Sequence, residues 1–259
     1  MIGKERMIEL LANERFPLSA KYDPEWVLNN NMGPNALWLT EWLGEKMDLK
    51  PGMRVLDMGC GKAMSSVFLV KEYGVQVWAN DLWISATENW QRIREAGLEN
   101  RICPIHAEAH SLPYAEEFFD AIISVDSYQY YGTDDLYLNS FHKYVHPGGQ
   151  IGIVVPGLLR GFNGPVPEHL TRRQQNGFVW WGDGCWSFHT VDWWRHLWAR
   201  TGLVDLEAAE VMPDGWRFWL QFEQAAVLAE KVSYQSDVEA LEADAGRYLA
   251  LIRVVGRRR

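Results

Sequence analysis

The chain has 259 residues, a length that suits one large domain, or one domain with an added lid, better than a series of modules. Its hydrophobic fraction of 47% and charged fraction of 23% are those of an ordinary soluble globular protein. The net charge of −9 has the wrong sign for holding a phosphate backbone, so we expect no nucleic-acid partner. Arg257, Arg258 and Arg259 are a local exception, and we expect them to form a frayed, solvated tail.

The targeting and redox signals are those of a cytoplasmic protein. Cys60, Cys103 and Cys185 form no close pair and no metal-ligand spacing, which predicts a reducing compartment and no metal site. The first residues carry charges throughout and lack the apolar core of a signal peptide. No stretch approaches the ~18–20 uncharged apolar residues that span a bilayer, so we expect no membrane partner. The sequence leaves the oligomeric state open.

Predicted elements divide the chain into four parts. Residues 1–48 read as helices and are interpreted as a helical lid, whereas residues 50–156 alternate between strands and helices. Strands separated by helices of this length form parallel βαβ units, and their continuous apolar character indicates burial on both faces. The sequence therefore predicts a doubly wound α/β sheet, with 50–156 as its cofactor-binding half. The predicted strands of this half are 54–57, 75–81, 101–106, 120–125 and 151–155, and its predicted helices are 64–73, 85–97 and 133–145.

The alternation ends at Pro156. The next thirty residues are rich in glycine and proline, with at most one short helix, about 168–176. Long irregular stretches in compact domains are usually lids or binding loops, so we interpret 157–200 as an aromatic-rich lid over a substrate. Residues 203–259 are predicted to supply the remaining strands and helices. A Ser-x-x-Glu spacing, typical of a capping box, marks predicted helix starts at Ser85 and Ser236.

Tryptophan is unusually frequent: 14 residues in the chain, many of them in the region from residue 180 to 219. Trp194 and Trp198 share one face of a predicted helix, so we expect them to pack against the sheet. Trp180 and Trp181 stand beside glycines in the irregular segment. They could anchor that loop, or form a pocket wall for a flat, apolar or cationic ligand.

A glycine turn at residues 55–63, VLDMGCGKA, is the most informative segment. Its glycines allow a ligand to approach the main chain closely. A dinucleotide fingerprint would need glycine at position 64, where Met64 stands, and no Gly-Lys-Ser/Thr follows for a phosphate-binding loop. Asp57 would repel a pyrophosphate but would favour a ligand with an ammonium group. Asp81 ends the second strand, where a carboxylate can bind both hydroxyls of a ribose.

Four motifs in order resemble the cofactor core of the class I S-adenosylmethionine-dependent methyltransferases. They are VLDMGCG with the strand ending in Asp81, AEAHSLPY at 107–114, FFDAIIS at 118–124 and YVHPGG at 144–149. The resemblance covers residues 54–155. It implies a Rossmann-like seven-stranded sheet of order 3-2-1-4-5-7-6, with strand seven antiparallel.

The same resemblance implies S-adenosylmethionine as cofactor and S-adenosylhomocysteine as product. It assigns Asp57, Gly59 and Gly61 to the methionine part, Asp81 to the ribose, Leu82 to the adenine face, Glu108 and Ala109 to the adenine edge, and Ser124 to the neighbourhood of the sulfonium. Holding the acceptor on axis with the sulfonium does much of the catalysis, so a general base is optional. Candidate bases are Asp126 and His189. Candidate acceptor contacts are Tyr128, Tyr131, Trp180 and Trp181.

The sequence thus predicts transfer of a methyl group to O, N or C of a small metabolite, one that is apolar, aromatic or amine-bearing. Two alternatives stay open: a protein that binds S-adenosylmethionine or S-adenosylhomocysteine without turnover, and a methyltransferase for a macromolecule. The acidic charge disfavours RNA, and the Asn/Asp-Pro-Pro-Tyr motif of many base and glutamine methyltransferases is missing after the fourth strand. The identity of the acceptor is not fixed by the sequence.

Overall fold

The computed structural model of the protein describes residues 2–175, 177–232 and 236–259. Its strands are β1 Arg54–Met58, β2 Gln76–Asp81, β3 Ile102–His106, β4 Phe119–Val125, β5 Val145–Leu158, β6 Val204–Val211 and β7 Leu249–Arg258. The α-helices are α1 Ile2–Leu11, α2 Pro24–Asn29, α3 Ala36–Gly44, α4 Met64–Tyr73, α5 Ala86–Glu95, α6 Tyr137–Phe141, α7 Glu168–Thr171, α8 Val191–Ala199, α9 Gly215–Leu228 and α10 Val238–Asp244. No helix among the described residues has the length and apolar character needed to cross a membrane.

The strands form one seven-stranded sheet of order β3-β2-β1-β4-β5-β7-β6. β1 pairs in parallel with β2 on one side and with β4 on the other, and β7 runs antiparallel to β5 and β6. The predicted doubly wound topology is therefore confirmed. Because the strand order reverses at β1, a crevice is expected outside the carboxyl ends of β1 and β4.

Helices cover both faces of the sheet, as the apolar strands require. One core cluster joins α3, α4 and α9 to the sheet through residues such as Trp42, Phe68 and Phe222. The other cluster lies on the opposite face and contains Trp194 and Trp198, both fully buried. The prediction that these two tryptophans pack against the sheet is confirmed.

The N-terminal helices differ in how deeply they are buried. α3 is almost entirely buried, and it packs on β5 together with Met47, three residues past its end: a Cβ at Gly152 would lie 3.1 Å from Leu43 Cδ1 and 2.5 Å from Met47 Sδ. α1 is partly exposed and contacts α9. The stretch between α2 and α3 lines a cavity at the edge of the sheet through Met32, Gly33 and Pro34. Whether residues 1–48 form a lid stays a prediction, and this stretch is the part that the prediction would involve.

The C-terminal arginines are not a frayed tail, so that prediction is wrong. β7 continues through Arg258. Arg257 forms ion pairs with Glu207 of β6 at 2.5 Å and with Asp48 at 2.6 Å, and Arg259 pairs with Asp205 of β6 at 2.7 Å. The acidic residues of β6 hold the arginines in register, because β6 is hydrogen-bonded beside them.

Two predicted helices are shorter in the structure. The helix expected over 133–145 is α6, which starts late because the Asp134 carboxylate accepts a hydrogen bond from the Leu136 N–H at 2.8 Å and favours a turn. The helix expected over 168–176 is reduced to the four residues of α7, and its predicted end, Asn176, lies outside the described residues.

Of the two predicted capping boxes, only the first forms. The Ser85 hydroxyl accepts a hydrogen bond from the Glu88 N–H at 3.2 Å, and Glu88 accepts one from the Ser85 N–H at 3.1 Å. At the second position α10 begins after Asp237, whose carboxylate binds two indoles instead of capping the helix. Glu239 accepts a hydrogen bond from the Gln175 N–H at 2.9 Å rather than returning to Ser236.

The difference between the capping box that forms at Ser85 and the one that does not form at Ser236 can be measured by mutation. Ser85→Ala should lower the free energy of unfolding by about 1 kcal/mol, because it removes an N-cap acceptor. In a domain of this size that change corresponds to a fall in Tm of roughly 2–4 °C. Ser236→Ala is the matched control. It removes the local hydrogen bond that the Ser236 hydroxyl accepts from the Val238 N–H, and it should have a clearly smaller effect in the same thermal scan. Equal losses from both variants would contradict the assignment.

Candidate functional site

A cavity of about 560 Å³ opens at the carboxyl ends of β1, β2 and β4, where the strand order reverses. Its volume lies within the range of small-molecule sites. Its walls come from the turn after β1, the ends of β2 and β4, the loop after β3, residues between α2 and α3, the segment 180–188, and α9 with Asp237. The cavity therefore joins the predicted cofactor half to the aromatic segment.

The glycine turn is tied to β2 by its own main chain. The N–H groups of Gly59 and Cys60 both donate to the Asn80 carbonyl, at 2.8 and 3.0 Å. Gly59 has a φ of +72°, and a Cβ there would lie 1.8 Å from Ser127 Oγ. Only glycine fits this position, both for the backbone conformation and for the space. Gly59 and Gly61 line the cavity, as predicted from the sequence.

Asp57 lies beneath the turn and is fully buried. Its Oδ2 accepts hydrogen bonds from the hydroxyls of Ser65 and Ser66, each at 2.6 Å, so the carboxylate fastens the first turn of α4 to β1. Its Oδ1 has no hydrogen-bond partner among the described residues. Burial raises the pKa of Asp57 to about 6, against the opposing effect of the two serines. Asp57 is not among the residues that line the cavity, so its predicted contact with the cofactor stays a prediction.

Asp81 lines the cavity and also organises its surroundings. Oδ2 accepts a hydrogen bond from the Gly61 N–H at 2.8 Å, and Oδ1 accepts from the N–H groups of Trp83 and Ile84 at 2.7 and 2.8 Å. A carboxylate has about four acceptor positions, so these three hydrogen bonds leave about one for a ligand hydroxyl. Leu82 follows with an exposed side chain at the cavity wall. The ribose contact of Asp81 stays a prediction.

The loop after β3 contributes Glu108 and Ala109 to the cavity wall. Glu108 is held in place by His110, whose N–H and Nδ1 contact its two carboxylate oxygens at 2.8 and 2.7 Å. The hydrogen bond from His110 lowers the pKa of Glu108. Ser124 behaves differently: it is fully buried, does not line the cavity, and lies 2.9 Å from the Tyr131 hydroxyl. Tyr131 lines the cavity in its place.

The two candidate bases differ in position. Asp126 lines the cavity, in a left-handed conformation with φ of +53°. Burial raises its pKa to about 7, with the Gln129 hydrogen bond acting in the opposite direction. His189 is not among the lining residues, and its ring stacks on Trp193 with centroids 3.6 Å apart. The structure therefore brings Asp126 to the cavity and leaves His189 outside its wall.

The four candidate acceptor contacts divide in the same way. Tyr131 and Trp180 line the cavity, whereas Tyr128 and Trp181 do not. Tyr128 is fully buried in the second core cluster, with its ring 5.7 Å from that of Trp194. Trp181 packs on Phe162, with ring centroids 5.2 Å apart. Trp181 therefore anchors the irregular segment, one of the two roles that the sequence left open.

Sequence analysis missed a group on the opposite wall: Trp219 and Glu223 of α9, and Asp237 just before α10. Asp237 accepts hydrogen bonds from the indole Nε1 of Trp180 at 2.7 Å and of Trp219 at 2.9 Å. Glu223 is 6% exposed, and its Oε2 lies 3.5 Å from the Asp237 N–H. A signal for Glu223 was present, because Trp219, Phe222 and Glu223 share one helical face. A carboxylate on an otherwise apolar face indicates a function or a buried partner.

Comparison with known proteins agrees with this geometry. Residues 55–149 match the model of a methyltransferase domain. The methyltransferase GfsG of Streptomyces halstedii is 33% identical over 125 residues, which are 47% of this chain and 45% of that protein. The chain thus spans less than half the length of that relative.

Solved structures share the whole fold. The [4+2]-cyclase SpnF has a TM-score of 0.65 and 17% identity, over 99% of this chain and 95% of that one. Phosphoethanolamine N-methyltransferase 2 of Haemonchus contortus, in complex with S-adenosyl-L-methionine, has a TM-score of 0.69 and 18% identity, over 97% of this chain and 60% of that one. At these identities the likeness shows the fold alone. Residues 55–149, which contain the glycine turn and the four ordered motifs, are thus similar to a methyltransferase domain, and the sheet has the order that this resemblance implied.

Proposed function

We propose that the protein transfers a methyl group from S-adenosylmethionine to a small molecule. One observation carries this proposal: a single cavity is lined by the glycine turn and Asp81 and also by Asp126, Trp180 and the residues of α9. A cofactor at the first group and an acceptor at the second would share one cavity. Proximity of this kind is the main requirement of an in-line displacement.

The residues present fit the cofactor. S-adenosylmethionine would supply a methyl group on a sulfonium, together with an ammonium and a ribose for recognition. The open main chain at Gly59 and Gly61 admits a ligand close to β1, and Asp81 keeps an acceptor position for a hydroxyl group. Acidic side chains in the wall favour a cationic ligand. We assign the adenine edge to Glu108 and to the main chain of Ala109, which both line the cavity.

Asp126 is the candidate proton acceptor. Asp126 lines the cavity, and its raised pKa of about 7 lets it take up or release a proton near neutral pH. The Gln129 amide donates a hydrogen bond to Asp126 Oδ1 at 3.1 Å and fixes the side chain. The backbone is fixed as well, by a hydrogen bond from the Asp126 N–H to the Val154 carbonyl at 2.8 Å.

A small acceptor fits the walls better than a macromolecule does. Trp180, Cys185 and Phe188 line the cavity, so the segment 180–188 forms one of its walls, and the volume of about 560 Å³ suits a small molecule. The net charge of −9 also disfavours RNA.

The structural likeness to a [4+2]-cyclase supports a second candidate: binding of the cofactor without methyl transfer, since one fold hosts different reactions. Incubation with methyl-labelled S-adenosylmethionine and a metabolite extract separates the two candidates. Label recovered in a new compound supports the methyltransferase. Bound but untransferred cofactor supports the second candidate.

The ribose assignment of Asp81 can be tested by calorimetry. Asp81→Asn should weaken S-adenosylhomocysteine binding at least about tenfold, or about 1.4 kcal/mol, because a charged acceptor for the hydroxyls becomes neutral. Glu242→Gln removes an equal charge from an exposed position on α10 and should leave the affinity unchanged. A thermal scan of Asp81→Asn checks that the turn is intact. Native-like affinity in the folded variant would remove Asp81 from the ribose role.

The titration of Asp126 predicts a pH-dependent stability. Burial raises its pKa from 3.8 to about 7, so the folded state binds this proton more tightly than the unfolded state does. Its contribution to stability is complete below the ordinary pKa and is lost as pH rises through the folded pKa. Asp126→Asn should therefore be more stable than the native protein near pH 8, by on the order of 2 kcal/mol, and nearly equal near pH 4. Asparagine also tolerates the left-handed conformation.

Denaturant unfolding at several pH values measures this difference. Asp183→Asn, which changes an exposed carboxylate in the covering segment, is the control and should show no pH-dependent gain. A constant offset of Asp126→Asn at all pH values would mean that the carboxyl titrates normally in the folded protein.

A further inference from the structure

Three carboxyl groups form one part of the cavity wall. Asp126, Glu223 and Asp237, here called the acidic wall, come from the end of β4, from α9 and from the residue before α10. They interact electrostatically, because Asp237 raises the pKa of Asp126, and both of the others raise that of Glu223. Burial is the largest cause of the raised pKa in each case. The end of β4 and the α9–α10 region therefore bring like charges together in a poorly solvated place.

No basic side chain compensates these charges. In the part of the chain that the structure describes, no lysine, arginine or histidine forms an ion pair with any member of the acidic wall. Lys62 and His110 are the basic residues among the described cavity lining, and both are engaged elsewhere. The Lys62 ammonium contacts the Asn29 carbonyl at 3.2 Å, and His110 contacts Glu108 at 2.7 Å.

Burying the three carboxyl groups of the acidic wall in their charged form costs free energy unless a cation binds beside them. Buried like-charged carboxyl groups either stay protonated or bind a positive partner. Among the described residues, the hydrogen bond to Glu223 is a long one, from the Asp237 N–H at 3.5 Å, so it relieves little of this cost. Since the wall lines the cavity, a cation that completes it would be a group of the ligand.

Two indoles stand beside the acidic wall. Asp237 holds Trp180 and Trp219 through their Nε1 atoms, and their ring centroids lie 6.3 Å apart at an interplanar angle of 56°. Hydrogen bonds from indole Nε1 to a carboxylate make the rings richer in negative charge and fix their orientation. Aromatic rings next to carboxylates are the usual surroundings of an ammonium group in a protein site.

We infer that the methyl acceptor is a small amine, bound as its ammonium against the acidic wall beside Trp180 and Trp219; this rests on the proposed function. An acceptor carrying phosphate or carboxylate near this wall would meet three like charges and be repelled. Neutral hydroxyl acceptors would leave the carboxyl groups without a cation. The acidic wall therefore selects the amine among the O, N and C acceptors that the sequence left open.

The chemistry balances with the residues present. A carboxylate of the acidic wall takes a proton from the ammonium and becomes a carboxylic acid, leaving a neutral amine with a free electron pair. That pair forms the nitrogen–carbon bond to the methyl group as the sulfur–carbon bond breaks and its electrons stay on sulfur. The product is a methylated ammonium and a neutral thioether, and the proton later leaves the carboxylic acid to solvent. Raised carboxyl pKa values suit this exchange near neutral pH.

Three probes with one skeleton test the head-group preference: 2-phenylethylamine, 2-phenylethanol and 2-phenylethyl phosphate. Each is titrated calorimetrically into the full chain saturated with S-adenosylhomocysteine. The amine should bind at least about tenfold more tightly than the alcohol, since a charged hydrogen bond replaces a neutral one. The phosphate should bind more weakly than the alcohol. Repeating the amine titration in buffers of different ionisation heat should show proton release, because the acidic wall ionises around the cation.

Variants separate the acidic wall from the rest of the cavity. Glu223→Gln keeps the shape of the side chain and should remove most of the preference for the amine while leaving S-adenosylhomocysteine affinity unchanged. Glu242→Gln, with an equal loss of charge at an exposed position, should keep the preference. Asp237→Asn should lose the preference and also shift tryptophan emission, since both indoles lose a charged acceptor.

The outcomes distinguish the two proposals. If S-adenosylhomocysteine binds but the amine binds no better than the alcohol, or does not bind at millimolar concentration, the amine inference is wrong and the cofactor assignment stands. A preference that survives in Glu223→Gln also overturns it. If S-adenosylhomocysteine does not bind to the folded protein, the proposed function fails, and the head-group comparison is then made on the protein alone.

Discussion

The whole site depends on the attachment of the glycine turn to the end of β2. Main-chain N–H groups of Gly59 and Cys60 share the Asn80 carbonyl, and the Gly61 N–H is bound by the Asp81 carboxylate. From below, Asp57 fixes the start of α4 through two serine hydroxyls. These contacts hold the turn in place, with the main chain of Gly59 and Gly61 at the cavity wall. They place the main chain, rather than a side chain, at the floor of the cavity.

The two halves of the cavity are built on different physical principles. Around the turn, backbone groups and a hydrogen-bonded carboxylate create a polar surface that is already arranged before any ligand arrives. On the opposite side, burial keeps the acidic wall partly protonated and dependent on what binds there. Under the proposed function, the cofactor side is rigid and the acceptor side responds to the charge of its ligand, a division that suits an enzyme with one methyl donor.

How much of the fold and of the site could be predicted depended on how far apart in the sequence the interacting residues are. The turn and Asp81 were visible in local patterns, and the sheet order followed from the family resemblance that the four motifs carry. The resemblance also placed Ser124 near the sulfonium, and the predicted lid suggested His189 as a base, but Ser124 lies behind Tyr131 and His189 stacks on Trp193. Glu223 and Asp237 could not be paired beforehand, because their meeting with Trp180 depends on how an irregular segment folds over α9. The ion pairs of the β7 arginines could not be predicted either, because their acidic partners lie on the neighbouring strand β6.

The origin of the acidic wall has an evolutionary consequence. Glu223 and Asp237 lie outside the 55–149 stretch that matches the methyltransferase domain, as do the tryptophans that Asp237 holds. Under the amine inference, substitutions in these late segments change which acceptors are recognised without disturbing the turn, the β2 carboxylate or the sheet order. Selection would then act on substrate range and on donor binding as separate traits, and a few changes in α9 and its surroundings would be enough for a new acceptor.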